Sequence, residues 1–456
     1  MKRQELQQVL EADLRHVWHP LTQHKTLAKQ PPKVMVRGEG STLVDADGRE
    51  YLDAMAGLWC VNVGYGRREI ADAVYQQMLD LPYYPHMQAN VPAAKLAERL
   101  TELTGGEPSH TYFVNSGTEA NEAAYKLARQ YHRQVHPQEP RYKFLTRHYS
   151  YHGTSLSTLA AGCVPERKMK YEPLGDGFIH VQPAYCYRCP FELSYPSCGV
   201  ACAKQVEYAI KAEGAEAVAA VVIEPIQSAV GVLVPPEEYL GEVAAACRRN
   251  GVLLILDEVI NGFGRTGKWF AYQHYGVTPD LMCLAKGLTG GYQPIGAVMV
   301  TGEVFNAFLG DPDENRQAAQ VNTWGGHAAA CAAALANLAI MDRENLPARA
   351  AETGAYLLDG LRGLLALPIV GDVRGKGLLI GVELVGDKAS RAPLGNAQMG
   401  KVIRGCLDRG VIVGRSVGSG AGLGNCVVMS PPLVLTRPQA DRIVETLGEV
   451  LKTVAA

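Results

Sequence analysis

The sequence predicts an α/β protein: a mainly parallel sheet lies between helices in a large domain, joined to a smaller α+β domain drawn from both chain ends. Two observations carry that prediction. Short, continuously apolar runs at 112–114, 217–223, 252–256 and 281–284 each end in a polar or glycine-bearing turn, and amphipathic helical patterning recurs between them. Strands apolar on both faces are covered on both faces, as in parallel sheets, whose ligands bind beyond the carboxyl ends of the strands. The second observation is size: 456 residues, 47% of them hydrophobic, are enough for a large core with a second unit beside it.

Taken in chain order, residues 1–60 form an N-terminal segment that folds onto the small domain. Within it Asp47-Gly48 is a turn signal between two short extended runs, which predicts a hairpin. Residues 61–335 form the large domain, where 112–114 runs into Asn115-Ser116-Gly117-Thr118 and then a helix through about Arg129. Residues 336–456 form the C-terminal part of the small domain: a helix from about 336 to Met341, another through the 350s, a strand pair over 371–384, and a closing helix over about 438–453. No repeat of solenoid period and no low-complexity tract interrupts the chain.

Charge and composition exclude several classes. With 44 Lys+Arg against 46 Asp+Glu there is no basic footprint for nucleic acid or for an anionic membrane. The first residues are charged throughout and no run reaches the roughly 20 apolar residues of a membrane span, so the expected location is the cytoplasm. Eleven cysteines are too sparse for a disulfide scaffold. Four of them, Cys186, Cys189, Cys198 and Cys202, cluster before a helix. Two such pairs can hold zinc, but the spacer is short for a zinc ribbon, so free or redox-sensitive thiols are the favoured reading and no metal is assigned.

The chemistry gathers at three strand exits. Lys286 follows an apolar run directly and precedes Gly287, an unusual place for a solvated charge; a buried lysine loses its proton readily and attacks aldehydes. Asp257 ends the preceding strand, so in a parallel sheet the two side chains converge, and an acid there can pair with a pyridinium nitrogen. Ser116, Gly117 and Thr118 stand where a strand gives way to a helix, and its N-terminal N–H groups can hold a phosphate or simply be capped. A lysine for an aldehyde, a partner for a ring nitrogen and a phosphate cup are together what pyridoxal 5'-phosphate (PLP) requires.

At these residues the chain also resembles the class III, or ω-type, aminotransferases of PLP fold type I. The stretches that carry the resemblance are Asn115-Ser116-Gly117-Thr118-Glu119-Ala120, Tyr151-His152-Gly153, Glu224-Pro225-Ile226-Gln227, the segment from Asp257 to Gly267, Ala285-Lys286-Gly287 and Ser430-Pro431-Pro432-Leu433. The resemblance implies that Lys286 binds the cofactor aldehyde and moves the substrate proton, and that Asp257 keeps the ring nitrogen protonated. It implies ring faces covered by Tyr151 and Val259, a phosphate held by Ser116, Gly117 and Thr118, and a bracing role for His152. Thr323 looks like the threonine that reaches the phosphate from a partner subunit, which implies a homodimer or a higher homo-oligomer.

For the substrates, the resemblance implies an amine donor and a 2-oxo acid acceptor. Arg415 is similar to the family's carboxylate-binding arginine. Ala229 stands where the similar ornithine and 4-aminobutyrate aminotransferases place a glutamate, which points to the pyruvate-using ω-amino group. Trp59, in Ala56-Gly57-Leu58-Trp59-Cys60, looks like a pocket residue of taurine–pyruvate and other ω-amino acid–pyruvate aminotransferases; Tyr151 would line the same pocket. Taurine, β-alanine and related primary amines are the candidate donors, with another amine donor or 2-oxoglutarate as the alternative. Racemisation or decarboxylation would share the same first step. A non-catalytic scaffold is disfavoured because Lys286 and Asp257 are both present. An NAD-dependent dehydrogenase, suggested by the G-x-G-x-x-G pattern at 262–267, ranks last: the glycines start several residues after the strand and no small-residue helix start follows.

Overall fold

Seven strands form the central sheet in the order His110–Val114, Gly296–Val300, Leu281–Leu284, Leu253–Asp257, Val218–Ile223, Lys143–Arg147 and Phe178–Val181. Only Gly296–Val300 runs antiparallel to its neighbours; the other pairings are parallel. In this computed structural model, which describes residues 2–417 and 424–455, the inner strands Val218–Ile223, Leu253–Asp257, Leu281–Leu284 and Gly296–Val300 are buried at every position. Their all-apolar sequences follow from that: a central strand with helices on both faces has no side that meets water.

Two smaller sheets flank this layer. Met35–Glu39, Thr42–Asp45 and Glu50–Asp53 form an antiparallel meander, with the Asp47-Gly48 turn between the last two strands, and Val411–Ile412 adds in parallel to Glu50–Asp53. Val370–Lys376 and Leu379–Asp387 make a hairpin extended by Cys426–Met429 and Gly414–Arg415. The closing helix, Arg437–Ala455, packs on the helices Leu346–Arg362 and Asn396–Asp408.

The helix expected from about 336 starts at Ala328 and ends at Arg343. It lies against the helices Arg68–Asp80 and Val91–Thr104 and is buried on most of its circumference, so its alanine-rich first turns carry no apolar stripe to mark them. The helix Gly117–Val135 outruns its expected end near Arg129 by a turn and a half.

Arg265 fastens the three sheets. Its fully buried guanidinium donates to Asn62 Oδ1 at 2.6 Å, to the Leu378 carbonyl at 3.2 Å in the hairpin turn, and to the Pro431 carbonyl at 2.5 Å. Burial lowers its pKa to about 9. The glycines beside it serve this packing: a Cβ on Gly267 would stand 2.9 Å from Ala351 Cβ, and one on Gly264 2.8 Å from Leu433 Cδ1. A single-turn 3₁₀ helix, Ala271–His274, follows instead of the long helix a dinucleotide site needs, so the G-x-G-x-x-G pattern is a packing motif here.

Candidate active site

One cavity opens at the carboxyl ends of the central strands. It is lined by Ser116, Gly117, Thr118, Asn121, Tyr151, His152, Gly153, Glu224, Asp257, Val259, Ile260 and Lys286. Three strand exits and one helix N-terminus thus meet where a sheet of this kind places ligands.

Lys286 is held at a φ of +45°, a left-handed conformation that a non-glycine residue adopts at a cost of order 1–3 kcal/mol. The surrounding packing enforces it. A Cβ on the next residue, Gly287, would lie 2.5 Å from Asn62 Nδ2 and 3.0 Å from Phe263 Cβ, so the chain can turn here only with glycine. Burial lowers the Lys286 pKa, with Cys60, Asp257 and Glu224 acting weakly the other way. The amine is thereby moved toward its neutral, nucleophilic form.

Asp257 ends its strand 3% exposed. Its Oδ2 accepts from His152 Nδ1–H at 2.8 Å and from Asn121 Nδ2 at 2.9 Å, while Oδ1 accepts from the Val259 N–H at 3.0 Å. The side chain is therefore fixed from three directions. Beside it, Glu224 is fully buried; Oε2 accepts from Ser228 N–H at 3.0 Å, and its carbonyl accepts from the buried Arg147. Burial raises the Glu224 pKa.

Ser116 caps the helix Gly117–Val135, its Oγ accepting from the Glu119 N–H at 3.2 Å. Gly117 lets the helix start against the wall opposite: a Cβ there would sit 2.8 Å from Val259 Cγ1. Free N–H groups and hydroxyls at this N-terminus suit a phosphate. Tyr151 supplies an aromatic wall and Val259 an aliphatic one. A half-buried amine of lowered pKa, a fixed carboxylate, a helix N-terminus and two apolar walls fit PLP, which contributes an aldehyde, a ring nitrogen, a phosphate and a planar ring.

The other anticipated residues lie elsewhere. Trp59 is half-buried at a φ of +59°, against the cluster of Met55, Ile260 and Val428, with its indole N–H buried and unpartnered among the described residues. Ala229 is buried in the loop after Glu224, and its carbonyl accepts from Val417 N–H at 2.9 Å. Arg415 does not line the cavity: its Nε donates to the Gly424 carbonyl at 2.5 Å and its terminal nitrogen to Asn396 Oδ1. Thr323 is exposed, outside its own chain's cavity, with its carbonyl accepting from Tyr83 Oη at 2.7 Å. Cys186, Cys189, Cys198 and Cys202 are unpaired and line one small cavity among Tyr185, Phe191 and Tyr195. Among the described residues no group of three or more His, Cys, Asp or Glu is arranged to hold a metal.

Asn121, Glu224, Gly153 and Ile260 line the cavity without having been assigned a part from sequence. Two signals were available: Glu224 sits at a strand exit, and Asn121 lies one helical turn beyond Gly117. Gly153 has a φ of +144° and no room for a Cβ, which would meet Thr158 Oγ1 at 2.6 Å and Thr118 Oγ1 at 2.7 Å.

The fold and the cavity define a PLP-dependent enzyme of α/β architecture. The model of the family "Aminotransferase class-III" matches residues 25–451, and the chain belongs to that family. It is 44% identical over 451 residues to the uncharacterized aminotransferase YhxA of Bacillus subtilis, covering 99% of this chain and 98% of that one. It is 41% identical to the taurine–pyruvate aminotransferase of Bilophila wadsworthia, covering 97% and 96%. An amine transaminase from an uncultivated Pseudomonas species, solved in its PLP-bound form, superposes with a TM-score of 0.91 at 36% identity, covering 96% of this chain and 98% of that one. The protein is a PLP-dependent aminotransferase.

Proposed function

We propose that this aminotransferase moves an amino group from a short ω-amino donor, taurine, β-alanine or a related primary amine, to pyruvate, giving the aldehyde or ketone and alanine. The observation that carries the amino-transfer reading is the convergence of half-buried Lys286, fixed Asp257 and the Ser116-capped helix on one cavity. The donor and acceptor rest on the likeness to a taurine–pyruvate aminotransferase and on Ala229, a side chain without a carboxylate, in the loop beside the cavity.

PLP, when bound, supplies an electrophilic carbon and a ring that accepts electrons. The residues around it then divide the work. Lys286 would hold the aldehyde end of the cofactor through Nζ and would serve as the base that moves a proton at the substrate carbon. Asp257 would hold a proton at the ring nitrogen, and His152 and Asn121 keep its carboxylate in place. Tyr151 and Val259 would cover the ring faces, and Ser116, Gly117 and Thr118 would hold the phosphate. Trp59 and Ala229 bound the substrate side, and Arg415 is the candidate for the acceptor's carboxylate once its contacts with Asn396 and Gly424 are exchanged.

Thr323 would reach the phosphate of a second copy, so the working unit is a homodimer or a higher homo-oligomer. Its exposure, and that of neighbouring Trp324 and Val321, supports this. The chain has no helix, among the described residues, long and apolar enough to cross a membrane, in keeping with a cytoplasmic enzyme.

The test is the visible spectrum of the cofactor-loaded protein. Taurine alone should remove the visible band and pyruvate should restore it. A band that taurine and β-alanine leave unchanged, but another amine removes, would overturn the donor assignment; restoration by 2-oxoglutarate and not pyruvate would overturn the acceptor.

A further inference from the structure

A donor such as taurine carries an anion two carbons from its amine, and a cation must meet that anion where water is scarce. Most arginines around the cavity are already committed. Arg265 is spent on Asn62, Leu378 and Pro431; Arg147 on the Glu224 carbonyl; Arg374 on Asp372, Glu383 and the Gly231 and Val232 carbonyls; Arg188 on Glu383. Arg415 is engaged by Asn396 and Gly424.

Arg167 differs from all of these. Its guanidinium carbon lies 5.0 Å from the centroid of the Tyr151 ring, the aromatic wall of the cavity. Among the described residues no carboxylate stands within 4.0 Å of it and no side-chain hydrogen bond consumes its donors, whereas adjacent Lys168 is paired with Glu172 at 3.9 Å. Arg167 is half-buried, and it lines a cleft of about 750 Å³ together with Thr154, Leu159 and Tyr171, starting one residue beyond Gly153 of the cavity lining. A guanidinium with no side-chain hydrogen-bond partner among the described residues, 5.0 Å from the ring of a site tyrosine, has its fork of donors available to an oxyanion.

We propose that Arg167 is the specificity-determining residue for anionic donors, binding the sulfonate or carboxylate of an ω-amino acid while its amine reaches Lys286. This rests on the donor reading above and adds the residue that would enforce it. The contact with Tyr151 keeps the guanidinium, and the hydrogen-bonding edge of its fork, beside the aromatic wall of the cavity. A sulfonate offers three oxygens to that edge. An amine of the same length without the anionic group gains nothing from it.

The test uses holoenzyme, the variants Arg167→Met and Arg167→Lys, and two readouts. Calorimetric titration with ethanesulfonate, which lacks the amine, reads anion binding without turnover. The donor half-reaction, followed by the visible band without any acceptor, compares taurine with n-propylamine. Arg167→Met should weaken ethanesulfonate binding and slow the taurine half-reaction by about 30-fold each, while n-propylamine changes by less than about 3-fold. Arg167→Lys, which keeps the charge and loses the fork, should recover part of both.

An equal loss with taurine and n-propylamine would show that the arginine only seats Tyr151, and no change with either probe would show that it does nothing for donors; both outcomes overturn the proposal. If wild-type enzyme reacts with n-propylamine and not with taurine, the donor reading fails by itself. Ethanesulfonate binding in wild type against Arg167→Met then still decides the part played by the arginine.

Discussion

His152 donates from Nδ1 to Asp257 Oδ2 at 2.8 Å, with both side chains almost wholly withdrawn from solvent. The same oxygen takes a second hydrogen bond from Asn121, so the acid opposite Lys286 is positioned by a histidine from a loop and an amide from a helix. Replacing His152 by Phe leaves Asp257 with one side-chain partner. Loss of a buried hydrogen bond to a charged group is worth about 1.5–3 kcal/mol, so cofactor retention should fall roughly 10- to 100-fold by equilibrium dialysis. Asn121→Ala should act in the same direction.

Lys286→Ala should abolish turnover and the visible band of the bound cofactor. The cofactor-free protein should melt at the same temperature or higher, because the variant removes an amine whose protonated form burial disfavours. Retained transamination in this variant would refute the role given to Lys286.

Arg265→Met should be among the most damaging single changes outside the cavity. It strips buried partners from Asn62 Oδ1 and from the Leu378 and Pro431 carbonyls at once. Orphaned buried acceptors cost about 1–3 kcal/mol each, so a loss of about 3 kcal/mol or more is expected in denaturant titration, read as a lower midpoint.

Stability should carry a signature of Glu258, which is fully buried and whose pKa burial raises from 4.5 to about 8, against the opposing pull of the Ala271 and Tyr272 N–H groups. The folded protein therefore holds this proton where the unfolded chain has released it. The contribution is fully present below pH 4.5, declines above it, and is lost as pH rises through about 8. Glu258→Gln, which keeps the size and one acceptor, should flatten the fall in melting temperature between pH 5 and pH 8.

Thr323→Ala should lower cofactor affinity and leave the mass in solution unchanged at twice that of the chain or a higher multiple. Light scattering combined with cofactor titration checks both. A monomer that binds cofactor at full strength would remove the partner-subunit role.

Most of the strand exits were legible because their chemistry is local: an apolar run too uniform for a surface strand, then Asp257 or Lys286 on the next step. The helix after Ser116 was legible for the same reason, since a cap, a glycine and a threonine declare an N-terminus. Asn121 was not, because nothing in Ala120-Asn121-Glu122 says that the amide turns inward. Arg167 was hidden among the charges of Glu166, Lys168 and Lys170, and its approach to Tyr151 exists only in three dimensions. The first turns of the Ala328–Arg343 helix escaped because packing on several sides erases the stripe that periodicity relies on. Arg415 shows the limit from the other side: its residue type suits a carboxylate, but the neighbours that occupy it, Asn396 and Gly424, come from segments whose approach the sequence does not reveal.

The pairing of Val411–Ile412 with Leu52 and Asp53 sets an order of assembly. Contacts between residues this far apart close late, because the entropy of bringing distant segments together must be met before they stabilise anything. During synthesis the meander that precedes Trp59 lacks this neighbour until the ribosome has passed residue 412. The central sheet can form well before that, from strands that lie between 110 and 300. A nascent chain therefore owns the strand exits of its cofactor pocket before it owns the wall around Trp59, and an arrested or prematurely ended product should discriminate among amines hardly at all.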